Sequence, residues 1–267
     1  EVPIGEEAQK KYLDMIAVAS KMAPRVPDVQ ERLGELLLKM GKQDAAFEYL
    51  RRAIDLDAGM AWKVVQVLRE QMLPAVEISK ALPRVPAVLE ALCGPYFEDG
   101  LRKEYLDLAE GSVAASAPGL LETWGWACLN AGEPERLRKR LDGIGTLADP
   151  AAEARRLRLR SSALPALGDR GRALADAKAA RVRAPEDPGA ASHLGEVSLA
   201  AGRADDAASA FRDALALVSR ASGGPGWRAG LYGRIGAAEE AAGRPDRAYD
   251  AYRKAVGEDP VILKSDG

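Results

Sequence analysis

Apolar and small residues recur at fixed steps along much of the chain. In the stretch RLGELLLKMGKQDAAFEYLRRAIDLD, Leu33-Gly34 is followed seven residues later by Gly41, then by Ala46, Leu50 and Ala53 at steps of five, four and three. The same steps give Leu194-Gly195, Gly202, Ala207, Phe211 and Ala214, and again Ile235-Gly236, Gly243, Ala248, Tyr252 and Ala255. Each spacing has a physical reading. The apolar-small pair marks a first helix that a second must approach closely, so a bulky side chain at Gly34, Gly195 or Gly236 would push the two apart. The later glycine ends that helix and supplies the left-handed backbone of the turn. Steps of four and three keep one face of the second helix toward the first. Pro185 and Pro260, five residues beyond Ala180 and Ala255, stop the second helix. Each unit is predicted to be a helical hairpin of about 34 residues.

Weaker copies fill the spaces between. Residues 154–187 carry Leu157, Leu164, Gly168, Ala173, Ala177 and Ala180, with Arg160-Ser161 in place of the apolar-small pair. Residues 118–151 carry Trp124-Gly125, Gly132, Leu137 and Leu141, and residues 86–117 carry Leu92-Cys93, Tyr96, Gly100, Tyr105 and Ala109. Residues 61–85 form a shortened copy, with a first helix around Trp62 to Gln71 and a short second one between Pro74 and Pro83. Tyr12, Ile16, Ala19 and Pro24 match a second helix alone, which reads as an array entered part-way, and the chain opens at Glu1 rather than Met, as an excised or processed segment would. SRASGGPGW lengthens the last copy by a flexible loop ending in Trp227, and VILKSDG reads as a tail.

Composition narrows the function classes. Aromatic residues make up only 5% of the 267 residues while Ala, Leu and Arg abound, a profile of packed helices. The net charge of −2 gives no global attraction to nucleic acid or an anionic membrane. Two cysteines, Cys93 and Cys128, and a single histidine cannot make a disulfide framework or a zinc site, and both cysteines read as small buried apolar residues. No apolar run has the length of a membrane span. There is no Gly-rich phosphate loop and no Ser, His and Asp set with interpretable spacing, so no catalytic site, metal or cofactor is assigned.

The repeat resembles the tetratricopeptide repeat family over nearly the whole chain. That resemblance implies an all-α, right-handed superhelical solenoid of antiparallel helix hairpins: about seven repeats after a lone helix at 6–26, with boundaries at 27–60, 61–85, 86–117, 118–153, 154–187, 188–221 and 222–262, and a tail at 263–267. It also implies that the first helices line a concave groove that holds a protein or peptide. Set in phase with the apolar-small pairs, the first full copy would display Asp28, Glu31, Arg32, Glu35 and Lys39 there. Later copies would display Glu90 and Phe97, then Glu122, Trp126 and Asn130, then Arg155 and Arg158, then Ser192, His193 and Glu196, then Arg234 and Glu240. Of these, Phe97, Trp126, Asn130, Arg155, Arg158, His193 and Arg234 are the candidate binding residues. The lysine and asparagine set by which some family members clamp chaperone tails is not reproduced.

Charge is uneven. Residues 136–183 hold thirteen Lys and Arg against five acids, net +8, which leaves −10 for the remainder. Two readings stand. The arginines could grip an acidic peptide, a terminal carboxylate or a phosphate, or they could cover apolar surface and pair with Glu153, Asp169 and Asp176. Trp126 beside Arg155 or Arg158 would make an aromatic-plus-arginine hot spot; alternatively Trp124 and Trp126 are both core. His193, without a second metal ligand or a nucleophile partner, suits a groove hydrogen bond or a pH-sensitive contact.

The leading expectation is a non-catalytic scaffold that binds a protein or peptide, an acidic one if the arginines grip it, with specific binding centred on residues 118–200. The alternative is an accessory domain of a bacterial envelope polysaccharide polymerase, ligase or export system, in cytoplasm or periplasm, a likeness of Ala-, Arg- and Leu-rich style. Nucleic-acid binding ranks lowest, because the flanking acids repel a long polyanion.

Overall fold

The computed structural model describes residues 6–114, 116–218 and 224–259. Pro260, the tail and residues 219–223 of the inserted loop lie outside the described residues. Those described are all-helical, without a strand. The chain divides into two compact units, residues 1–127 and 128–267.

The first unit opens with α1 (Glu6–Met22). There follow the hairpin of α2 (Pro27–Lys39) and α3 (Gln43–Leu56), and the short pair α4 (Ala61–Glu70) and α5 (Ala75–Ala81). The next first helix is interrupted, as α6 (Pro86–Ala91) and α7 (Cys93–Glu98), before α8 (Arg102–Glu110). The interruption has a covalent cause: Pro95 has no N–H to return to the carbonyl of Ala91. The division between the units falls inside α9 (Pro118–Asn130).

The second unit continues with α10 (Pro134–Ile144) and three hairpins. These are α11 (Pro150–Ala163) with α12 (Arg170–Arg183), α13 (Pro188–Ala200) with α14 (Ala204–Leu217), and α15 (Pro225–Ala241) with α16 (Pro245–Glu258).

The turns follow from the glycines. Gly41, Gly100, Gly132, Gly168, Gly202 and Gly243 all have φ between 71° and 81°, and each precedes a second helix. At Gly202 the amide donates to Leu199 O at 2.9 Å and that of Arg203 to Ser198 O at 2.9 Å, closing the two carbonyls a helix end leaves open. The same paired closure recurs at Gly41 and Gly243.

The small members of the apolar-small pairs sit at the tightest points. A methyl group on Gly34 would lie 2.6 Å from Leu50 Cγ, on Gly195 2.5 Å from Phe211 Cε1, and on Gly236 2.5 Å from Tyr252 Cε1. In the first two copies the second-helix residues Ala46, Leu50, Ala53, Ala207, Phe211 and Ala214 are all buried. The core runs on from hairpin to hairpin: Ala207, Phe211 and Ala214 of α14 share one cluster with Leu231, Ile235 and Ala238 of α15 and Ala251 of α16.

Candidate functional site

The arginine-rich first helix α11 divides its charges by face. Arg156 is buried, 4% exposed, and grips equally buried Glu153 in a two-pronged pair at 2.8 Å for each prong, while its third nitrogen donates to Leu141 O at 3.2 Å. Arg160 makes a second fork with Asp176, at 2.7 and 2.8 Å, and reaches Asp142 at 3.2 Å. Arg172 lies 3.8 Å from Asp169. The pairing with Glu153 and Asp176 is thus the structure's arrangement for Arg156 and Arg160, whereas Arg172, on α12, stays 75% exposed beside Asp169.

What remains on the open side of α11 is Arg155 and Arg158. Arg155 is partly exposed and makes no ion pair among the described residues. Arg158 reaches Asp187 at 3.1 Å, and Asp187 caps α13 by accepting from the Gly189 amide at 2.8 Å. The guanidinium lies over Gly189, where a methyl group would come within 2.8 Å of its Nη1.

From there a chain of polar contacts crosses three successive first helices. Ser161 on α11 is fully buried, donates its hydroxyl proton to Ala173 O at 2.8 Å, and lies 3.0 Å from His193 Nε2 on α13. Since that proton is committed, the imidazole donates through Nε2, and an imidazolium also turns its Nδ1–H toward Glu196 Oε2, 3.8 Å away. Glu196 Oε1 sits 2.6 Å from Arg234 Nη1 on α15, and the same nitrogen donates to Ser192 Oγ at 2.6 Å. The His193 ring, and then Arg234 and Arg158, hold the Glu196 carboxyl below its usual range against the opposing effect of burial. Glu196 and Arg234 are each nearly half exposed, so the network ends at the surface.

Ser161, His193 and Glu196 fall in the order of a nucleophile, base and orienting acid. The geometry nevertheless opposes that use: the hydroxyl is inaccessible and its proton points to a carbonyl rather than to the base. Among the described residues no cluster of His, Cys, Asp and Glu could hold a metal ion, and no helix is long and apolar enough to cross a membrane.

The other candidates take no part in these contacts. Phe97, in the first unit, is partly buried against Tyr105 with ring centroids 6.3 Å apart, and Arg102 covers its face at 5.3 Å, so it is occupied by its own neighbours. The tryptophans separate: Trp124 is buried with its indole donating to Leu106 O at 3.2 Å, whereas Trp126 is 44% exposed. Asn130 is exposed at the end of α9. The cysteines separate too, Cys128 buried and Cys93 only partly so. Sequence reasoning missed Lys63, which reaches across from α4 to buried Glu31 at 2.8 Å and to Asp28 at 3.3 Å; no repeat signal marks it.

Comparison with known proteins gives a consistent picture. The tetratricopeptide repeat profile matches residues 159–225, and a second profile of the same description matches residues 27–59. No curated protein matches the chain in sequence. Among solved structures, a thermophilic TPR protein of Thermus thermophilus is similar at 19% identity and a TM-score of 0.53, covering 67% of this chain and 94% of that one. A putative kinesin light chain from Podosopora anserina with nearly identical TPR-like repeats is similar at 14% identity and a TM-score of 0.53, covering 66% and 95%. The Cut9–Hcn1 hetero-tetramer of APC/C is similar at 16% and 0.52, covering 93% of this chain and 43% of that one. At these identities the likeness is one of fold.

Proposed function

This chain is a tetratricopeptide repeat protein, and we propose that its second unit holds a protein or peptide partner on the first helices α11, α13 and α15. Repeats of this family act generally as protein-interaction scaffolds. The observation that carries the reading is the polar chain from Ser161 through His193 and Glu196 to Arg234, which ties three successive first helices together and reaches the surface only at its ion-paired end. A surface so fixed is preorganised: its side chains lose little freedom when a partner arrives.

The unpaired Arg155 offers a full guanidinium fork to a carboxylate, and Arg234 can share its second nitrogen without leaving Glu196. A partner carrying an acidic residue fits this pattern.

The test is site-specific photo-crosslinking in the native cell, with the crosslinker one turn from the arginines, at position 151 on α11 or 237 on α15, and, as control, at exposed position 178 on α12. A discrete partner captured at the first two positions, and lost on Arg155→Glu, is the expected result. Equal capture at 178, or capture at 237 that is unaffected by Arg155→Glu, overturns it.

A further inference from the structure

His193 stands where neither neutral form of its ring satisfies both neighbours. Nε2 lies 3.0 Å from Ser161 Oγ, whose proton goes to Ala173 O, so the hydroxyl oxygen can only accept. Nδ1 lies 3.8 Å from Glu196 Oε2, a carboxylate oxygen that also can only accept. With the ring proton on Nε2, the Nδ1 lone pair faces the carboxylate; with it on Nδ1, the Nε2 lone pair faces the committed hydroxyl. Only the imidazolium presents an N–H to each. The other oxygen of the same carboxylate, Oε1, is held by Arg234 at 2.6 Å, and Arg234 is also anchored to Ser192. One carboxylate thus stands between a permanent cation and one that titrates.

We propose that His193 is a pH switch for the partner-binding surface: a proton taken up by the ring gives Glu196 a second cation and releases Arg234 to a carboxylate of the partner. This rests on the binding role proposed above for α11, α13 and α15. The side chain of His193 is 12% exposed and takes the proton from solvent, and Glu196, 46% exposed, has room to close on Nδ1. The charges nearby come from every helix packed on α13. From α11 come Arg155 and Arg158, the latter 3.1 Å from Asp187, and from α15 comes Arg234. Asp176 of α12 is forked by Arg160, and Asp205, Asp206 and Arg212 of α14 are engaged by Arg244, Arg203 and Glu239. Among the described residues Glu196 is the one charged group in contact with the ring. Protonation therefore adds one positive charge to this surface, and acidic ligands bind more tightly as pH falls from 8 to 6. His193 is the chain's single histidine, and no other side chain ordinarily titrates in that window.

The first arm of the test reads the protein alone. The full chain labelled with carbon-13 in histidine and arginine gives one imidazole NMR signal, and the Arg234 guanidinium signal is assigned through Arg234→Lys. Between pH 8 and pH 6 the Arg234 signal is expected to shift with the midpoint of the His193 signal, and to stay still in His193→Gln and in Glu196→Gln. His193→Gln keeps an N–H for Ser161, Glu196→Gln changes an exposed position, and a thermal melt at pH 8 verifies that each is folded. The second arm uses a rhodamine-labelled hexaglutamate peptide, whose carboxylates stay ionised at pH 6. Its binding by anisotropy is expected to tighten about three- to tenfold from pH 8 to pH 6, and to be equal at the two pH values in His193→Gln. An Arg234 signal that ignores the His193 titration, or a pH response retained in His193→Gln, overturns the switch. A peptide that binds at neither pH, while Arg234 still follows His193, removes the acidic-partner reading and leaves the switch in place.

Discussion

Gly195 faces Phe211 so closely that a single added methyl group would fall 2.5 Å from the ring's Cε1 and 2.6 Å from its Cδ1. The ring is 1% exposed and has no free space into which to turn. Gly195→Ala is therefore expected to destabilise the protein by about 1–3 kcal/mol, the range for overpacking a dense core. Phe211→Leu should recover part of that loss when combined with it. A double-mutant cycle by urea denaturation measures the coupling; strictly additive effects would show that the two residues do not meet.

Gly230 is the opposite case. It lies inside α15, and a methyl group there would meet nothing within 4 Å. Gly230→Ala is expected to raise stability by about 0.5–1 kcal/mol through the entropy of the unfolded chain. A lower urea midpoint would contradict the open space described at this position.

These two glycines show how far the sequence could be read. Gly195, Gly202 and Phe211 belong to a repeat, and repetition in phase reveals a packing rule without any contact being seen. The helical class and the left-handed turns were legible for that reason. The arginines were legible only as two alternatives, pairing or ligand binding, because three of the partners stand at a distance no repeat specifies: Asp176 is sixteen residues from Arg160, Asp187 twenty-nine from Arg158, and Glu196 thirty-eight from Arg234. Trp124 and Trp126 could not be separated either. Two positions on a helix turn a side chain by more than half a circle, but which of them faces the core depends on α8, whose Leu106 carbonyl takes the buried indole.

The buried pair Glu153 and Arg156 makes stability pH-dependent. Burial alone would push the Glu153 carboxyl up; the Arg156 guanidinium, the Leu147 amide at 2.9 Å and the charge of Arg183 more than offset it, and the group titrates below its ordinary range. A depressed folded pKa means that the contribution is present above the unfolded value, about 4.3, and is lost as pH falls through the folded one. Glu153→Gln leaves Arg156 buried without its charge partner and is expected to lower stability at neutral pH by about 3–5 kcal/mol. It should also flatten the fall in melting temperature between about pH 5 and pH 3. An unchanged acid limb in the variant would mean that other carboxylates govern it.

Ser161 and His193 invite a chemical test because of their order with Glu196. A buried hydroxyl bonded to Ala173 O is not poised for attack, so a fluorophosphonate probe is expected to leave the folded protein unlabelled. Ser161→Ala should cost about 1 kcal/mol from the lost hydrogen bond. Stoichiometric labelling that disappears in Ser161→Ala would reverse this assignment and make the network a hydrolytic centre.

Glu196 restrains Arg234, and that restraint can be removed without touching the partner-facing atoms of the arginine. The 2.6 Å pair occupies Nη1 of the guanidinium, and a carboxylate arriving at its second nitrogen meets the neighbouring Glu196 charge. Replacing Glu196 by Gln keeps the shape, removes the competing charge and leaves Arg234 anchored to Ser192. If the partner is acidic, Glu196→Gln is expected to tighten its binding by about three- to tenfold, a gain of about 1 kcal/mol from one partly exposed ion pair. The gain should shrink as salt is raised, because an exposed pair is screened within about 8 Å at physiological ionic strength. Binding of the crosslinked partner to Glu196→Gln, measured at two salt concentrations, decides the matter: weaker binding would show that the partner uses the Glu196 carboxylate itself and presents a cation, not an acid, to this surface.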